Sequence, residues 1–276
     1  MGSVDARAGG VRVVDGLVYG QPAGFRPLRL DLYLPSGVGA PLVVFVHGGG
    51  WLGGSRKTLT PVFRDWRPHP FERLAARGFA VASVGYRFSG EARWPAQLDD
   101  VAAAFDHLVE RAEEFRYDAG RTVLWGESAG AHLAVMLGLR EAARVSGVID
   151  WYGPMDLVAM GREDDPAHAL SDDVRDTREA RLLGAPVRDV PELARAASPI
   201  AHVHGGAPPF LIAHGTADRA VPFEQSAALA AALAAAGASV RFEAVEGADH
   251  LWRGVDDLEP LFEAAVAFAG EVTGLG

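Results

Sequence analysis

Residues 122–130 read TVLWGESAG: a compact β-type run, then Gly126-Glu127-Ser128-Ala129-Gly130, and then at once a helical pattern over 129–140. A strand that passes through a sharp turn straight into a helix is the setting that gives G-x-S-x-G its meaning. The turn forces Ser128 into a strained backbone conformation and lifts its hydroxyl above the edge of a sheet. Small residues are needed at 126 and 130 because the chain passes close to neighbouring elements there. The N–H of Ala129 opens the new helix, where backbone donors lack partners and the dipole favours negative charge. The pentapeptide alone leaves a second reading open, with Ser128 a helix N-cap and nothing more.

Upstream, the apolar run at 41–46 (PLVVFV) ends in His47-Gly48-Gly49-Gly50-Trp51. Three glycines after a buried strand expose N–H groups that no side chain shields, as a developing oxyanion requires. A flexible Gly turn fits less well, because the large residues His47 and Trp51 bracket the glycines. Downstream, the run at 209–213 (PFLIA) leads into His214-Gly215-Thr216-Ala217-Asp218, and the run at 240–245 (VRFEAV) into Glu246-Gly247-Ala248-Asp249-His250. In a parallel sheet these strand ends share one edge, where ligands bind. That edge would bring Asp218 and His250 beside Ser128: a nucleophile, a base and a group to orient the base. Asp249 and Glu246 compete as the acid. Asp249 adjoins His250 in sequence, and adjacent side chains rarely point at each other as required, so Asp218 is preferred.

Further strands are expected at 79–84 and 145–151, and residues 29–35 (RLDLYLP) alternate as a half-buried antiparallel strand does. Leu98, Val101, Ala102, Phe105, Leu108 and Val109 keep the spacing of one helix face, and 71–77, 224–235 and 258–268 follow the same rule. Alternating strands and helices imply a mostly parallel sheet covered on both faces. Residues 156–198 break this rhythm and read as an inserted helical cap, with short helices near 174–183 and 191–197. Residues 1–10 read as a loose tail, so the chain is expected to form a single domain over 1–276 with a cap.

HGGGW, GESAG, GTADRAVP and GADH, in that order, resemble the α/β-hydrolase esterases of the hormone-sensitive-lipase-like and bacterial carboxylesterase group. Residues 197–222 (ASPIAHVHGGAPPFLIAHGTADRAVP) are similar to the small acetylxylan/feruloyl esterase-like and arylformamidase-like branch. The resemblance spans about Val14 to Phe268. It implies an α/β-hydrolase fold with a mostly parallel eight-stranded sheet, and the chain order Ser, Asp, His. It also implies hydrolysis of carboxylic esters, of short acyl chains or small aromatic acids, through an acyl-enzyme. Glu127 and Ala131 depart from the group's usual GDSAGG, which blurs the subfamily; neither is expected to touch the triad. N-formyl amide hydrolysis on the same triad is the alternative, and a non-catalytic receptor is the reading from a different class. A prolyl-oligopeptidase-type peptidase needs a large additional domain for which there is no room.

The expected site is therefore Ser128, Asp218 and His250 as triad, Gly48, Gly49 and Ala129 as oxyanion donors, and Trp51, Glu127, Tyr152 and Trp252 around the substrate. Trp151 reads equally as pocket or core. His47 is expected to be structural, His132 to pack under the elbow and His214 to be buried and hydrogen-bonded. His69, His107 and His168 read as surface residues. His202 and His204 form H-x-H with no third ligand at a sensible spacing, so no metal is expected, and the chemistry needs no cofactor. Asp164 and Asp165 read as a solvated turn.

Composition agrees. The 276 residues contain no cysteine, which excludes disulfides, thiolate metal sites and a thiol nucleophile. A net charge of −10 gives no electrostatic case for nucleic acid or an anionic membrane. It favours a neutral small-molecule ester, unless cap arginines such as Arg162, Arg175 or Arg178 reverse the field locally. No apolar run approaches the ~20 residues that span a bilayer, and the N-terminus lacks a secretory h-region, so a cytoplasmic protein is expected. A homodimer stays open.

Overall fold

The computed structural model describes residues 3–6, 10–160 and 168–275. Its strands are β1 (Ser3–Ala6), β2 (Arg12–Gly20), β3 (Leu28–Leu34), β4 (Ala40–Val46), β5 (Ala80–Val84), β6 (Tyr117–Glu127), β7 (Gly147–Trp151), β8 (Phe210–Gly215) and β9 (Val240–Val245). Its helices are α1 (Pro70–Ala76), α2 (Ala96–Glu110), α3 (Ala112–Phe115), α4 (Ala129–Arg140), α5 (Leu157–Met160), α6 (Arg178–Leu183), α7 (Pro191–Ala196), α8 (Phe223–Ala235) and α9 (Glu259–Thr273). The strands form one sheet in the order β1-β2-β3-β5-β4-β6-β7-β8-β9. Pairing is antiparallel from β1 through β3 to β5 and parallel from β5 to β9. Strands β2–β9 are the eight strands of an α/β-hydrolase sheet, and β1 adds a ninth at the edge.

The sheet explains its own sequence. Every residue of β4 is buried, because β5 and β6 flank it and helices cover both faces. Leu42, Val44 and Val46 face one core with α2, α4 and α8, while Val43 and Phe45 face the other with α1 and α9. The antiparallel start runs through β2, whose periodicity is broken by two register shifts, between Val14 and Leu17 and between Val18 and Gly20. Strand β3 is more buried than its alternation predicts: Asp31 is enclosed, accepting the Gly16 N–H at 2.7 Å and pairing with Arg56 and Lys57.

The tail expectation does not hold for residues 3–6, which extend the sheet along the outer edge of β2. Backbone groups suffice for edge pairing, so the segment needs no apolar signature. The segment between β7 and β8 carries α5, α6 and α7, with α6 and α7 falling on the two expected helical pieces. Asp164, Asp165 and Arg162 lie outside the described residues. Among the described residues, no helix is long and apolar enough to cross a membrane.

Candidate active site

Strand β6 delivers Ser128 at its C-terminal end with φ 53° and ψ −126°, a conformation that non-glycine residues rarely adopt and that costs about 1–3 kcal/mol. The neighbours impose it. The Ser128 N–H donates to the Trp151 carbonyl at 2.8 Å, and the Ser128 carbonyl accepts the His132 N–H at 3.1 Å. The flanking glycines are sterically required: a Cβ on Gly126 would lie 2.3 Å from the Gly130 carbonyl oxygen, and one on Gly130 2.1 Å from that of Val46.

The turn after β9 presents His250, whose Nε2 lies 3.0 Å from Ser128 Oγ and whose Nδ1 lies 2.7 Å from Asp218 Oδ2. Asp218 follows β8. Its Oδ1 accepts the backbone N–H groups of Ala220 and Val221, both at 2.8 Å. Burial pushes this carboxyl up, but hydrogen bonds from His214 and His250 outweigh it and hold Asp218 well below the usual carboxylate range. The rival Asp249 is committed elsewhere. Its carboxylate accepts the backbone N–H groups of Arg219 at 3.0 Å and His250 at 2.8 Å and pairs with the Arg219 guanidinium, which brings its pKa down to about 2.

The glycine loop corrects one expectation. The Gly48 N–H donates to Glu127 Oε1 at 2.7 Å, so it is turned away from the site. Gly49, Gly50 and Ala129 line the cavity instead, and their N–H groups have no partner among the described residues. The loop holds its donors outward through positive φ at Gly49 (114°) and Gly50 (61°). The available signal for this one-residue shift was Glu127, an acceptor at the elbow itself. Burial pushes the Glu127 carboxyl up to about 7, against the Gly48 hydrogen bond that lowers it.

A cavity of about 270 Å³ opens beside Ser128 and His250. Of the four residues expected around the substrate, Trp51 lines it and the others do not. Glu127 is buried beneath the glycine loop. Tyr152 donates its N–H to the Ala213 carbonyl at 2.9 Å, which keeps it within the sheet layer, and its ring packs edge-on to His250 and Trp252. Trp252, at φ 62°, packs against Trp151 behind the imidazole. Trp151 is core, stacked on Phe63 and edge-on to Trp125.

The roof comes from the segment after β7: Met160, His168, Thr177, Arg178, Glu179 and Val187. The sequence reading named none of these as lining, and Arg178 only as a cap arginine that could reverse the local field, because short helices carry no periodicity to orient them. His168 is here a cavity residue, not a surface one. Arg178 lies across Gly50 and pairs with no carboxylate among the described residues, whereas Arg175 is paired with Asp173.

The remaining histidines are structural. His47 stacks on Tyr86, with ring centroids 4.6 Å apart, and its Nδ1 lies 2.8 Å from the Gly48 carbonyl oxygen. His132 donates from Nε2 to the Ala197 carbonyl at 2.6 Å and packs against Trp51. Burial pulls both imidazoles down to about 4. His69 caps α1, accepting the Phe71 N–H. His202 and His204 donate to the carbonyls of Ala196 and Leu139, and no metal-holding cluster of His, Cys, Asp or Glu occurs among the described residues.

The model of the family described as BD-FAE matches residues 30–233. Esterase LipQ of Mycobacterium tuberculosis is 31% identical over 245 residues, covering 82% of this chain and 55% of the relative. Esterase LipC of the same organism is 31% identical over 225 residues, covering 76% and 53%. The chain spans about half the length of these curated relatives. Among solved structures, a truncated carbohydrate esterase from gut microbiota superposes with a TM-score of 0.78 at 27% identity, covering 95% of this chain and 96% of that one. A thermophilic esterase from the Planctomycetes species Thermogutta terrifontis superposes with a TM-score of 0.74 at 26% identity, covering 94% and 92%.

Proposed function

The chain belongs to the BD-FAE family, and from that premise we propose that it is a serine hydrolase that cleaves carboxylic esters through an acyl-enzyme. The observation that carries this reading is the unbroken line Ser128 Oγ, His250 Nε2, His250 Nδ1, Asp218 Oδ2, with links of 3.0 Å and 2.7 Å. His250 takes the Ser128 proton as Oγ bonds to the ester carbonyl carbon. The oxygen of the resulting tetrahedral centre carries the charge and meets the N–H groups of Gly49, Gly50 and Ala129. Each such donor is worth about 3 kcal/mol at the transition state. The centre collapses, the C–O bond to the alcohol breaks, and His250 protonates that alcohol as it leaves. Water then repeats the sequence on the acyl-enzyme, its proton passing to His250 and back to Ser128. Asp218 stays ionised, fixes the imidazole tautomer and stabilises the imidazolium.

A cavity of about 270 Å³, roofed by described residues of the cap of a single domain, supports short acyl chains or small aromatic acids as substrates. The test is a panel of p-nitrophenyl esters from acetate to decanoate, with a feruloyl ester and N-formylkynurenine added. Short esters should turn over with a burst, and Ser128→Ala should lose about 10⁴-fold or more in kcat. Turnover by Ser128→Ala equal to the wild type would end the assignment, and preference for N-formylkynurenine would move it to amide hydrolysis.

A further inference from the structure

A second, fully buried imidazole stands behind the acid. His214, at the end of β8, has Nε2 3.2 Å from Asp218 Oδ2 and 3.0 Å from the Val221 carbonyl oxygen. Both neighbours are acceptors, which favours a hydrogen on Nε2. Its Nδ1 lies 2.7 Å from the hydroxyl of Ser226 on α8. Behind Ser226 is Asp150 on β7, also fully buried, whose carboxyl interacts with that hydroxyl. Asp150 Oδ1 accepts the Gly153 N–H at 2.9 Å, and its Oδ2 has no hydrogen-bond partner among the described residues. Burial pushes Asp150 up to about 7.

With the hydrogen on Nε2, facing Asp218, Nδ1 of the neutral ring is left to accept the Ser226 O–H. Without Ser226 the neutral ring is free to place its hydrogen on Nδ1, which would set a bare nitrogen against the carboxylate. The same turn is tied twice, since the Val221 carbonyl accepts from His214 while its N–H donates to Asp218.

We propose that His214 is a positioning residue for the acid: its Nε2–H, kept on that nitrogen by Ser226, holds Asp218 Oδ2 aimed at His250. The titratable groups facing His214 are Asp218 from its own loop, Asp150 from β7 through Ser226, and Tyr152 with its ring centroid 6.5 Å away; His250 lies beyond Asp218. The aromatic ring of Phe223 on α8 closes the remaining side. Losing the Nε2–H concentrates the Asp218 charge on His250, favours the imidazolium and shifts the acid limb of kcat/KM to higher pH.

The inference rests on the proposed triad, and the experiment separates the two. With the full chain and p-nitrophenyl acetate, His214→Leu should lower kcat by about 10- to 100-fold, the scale of a charged hydrogen bond, with little change in KM. Its acid limb should move up. His214→Gln, which can return an N–H to the Nε2 position, should recover most of kcat and restore the limb. Equal losses in the Leu and Gln variants with an unmoved limb would reduce His214 to packing and overturn the proposal, while loss of activity in Ser128→Ala would still uphold the triad. Should His214→Leu fail to fold, Ser226→Ala keeps the ring and decides: a raised acid limb supports the proposal, and a wild-type profile overturns it. Long-range ¹H–¹⁵N spectra of the wild type should find the His214 hydrogen on Nε2; a neutral ring protonated on Nδ1 would refute it directly.

Discussion

The two walls of the cavity are built by different means. The floor hangs from the ends of parallel strands of one sheet: the glycine loop after β4, Ser128 after β6 and His250 after β9, with Asp218 after β8 held behind His250. The roof is built from α5, α6 and the turns beside them, with α7 behind, helices of four, six and six residues, too short to be stable in isolation. A few bonds at its margins fasten it. Gln225 Oε1 accepts the N–H groups of Met155 and Asp156, Ser198 Oγ accepts that of Leu157, and His132 donates to the Ala197 carbonyl. On the proposed function, geometry that the reaction needs is thus assigned to the sheet, and geometry that would distinguish substrates to a segment whose residues can change without moving Ser128, Asp218 and His250.

One substitution placed in each wall puts that contrast to its hardest test. Gly130→Ala sets a methyl group 2.1 Å from the Val46 carbonyl oxygen, so β4 or α4 must move. The expected cost is about 1–3 kcal/mol of stability and roughly a hundredfold in kcat, because the glycine loop and the nucleophile separate by a fraction of an ångström. Gly184→Ala, at the left-handed end of α6 (φ 86°), meets the flexible side chain of Arg93 and should cost about 1 kcal/mol, with kcat within a few-fold of wild type. Thermal melts with p-nitrophenyl acetate kinetics measure both. Comparable kcat losses in the two variants would break the distinction between floor and roof.

The same contrast decides what was readable in the sequence. The floor was readable because four strand ends, punctuated in order by Gly, Ser, Asp and His, fit few arrangements besides a nucleophile, its base and an oxyanion site on one sheet edge. What escaped there depended on side-chain direction. Gly48 was expected in the oxyanion site, but Glu127 takes its N–H, and it is Gly49 and Gly50 that line the cavity. Tyr152 and Trp252 follow strand ends as pocket residues do, yet positive φ at both turns them under the triad. Strand β2 went unread because its bulges break the period of two that marks a strand. In the roof, α6 and α7 could be located but not oriented, since a helix of six residues has fewer than two turns in which to show a face.

A buried carboxyl under the glycine loop offers a milder test of the floor's rigidity. Glu127 is raised from 4.5 to about 7, mainly by burial. The sign follows from proton counting. Between those values the folded chain holds a proton that the unfolded chain has lost, so this group's contribution to stability falls as pH rises, by at most about 1.4 kcal/mol per pH unit, and levels off above about 7. Glu127→Gln keeps an oxygen for the Gly48 N–H and removes the titration. Its stability relative to wild type should therefore increase from pH 4.5 to 7 in denaturant titrations. A difference that stays flat across that range would show that Glu127 does not titrate there.

The smallest expected effect belongs to the roof, and it should appear as selectivity and not as a uniform loss of rate. Val187 is buried and lines the same cavity as Ser128. Val187→Phe adds a ring to a space of about 270 Å³, at the expense of acyl length and not of the carbonyl carbon. Butyrate carries two methylenes more than acetate, each worth about 0.8 kcal/mol when buried, so losing burial of one or both should lower the butyrate-to-acetate ratio of kcat/KM for p-nitrophenyl esters by about four- to fifteenfold. A ring at this position has no route to the triad except through substrate, because Ser128, Asp218 and His250 are held by bonds within the sheet and its loops. If both esters instead slowed equally, the roof would be setting the position of the reacting atoms, and the division between a floor that reacts and a roof that selects would have to be abandoned.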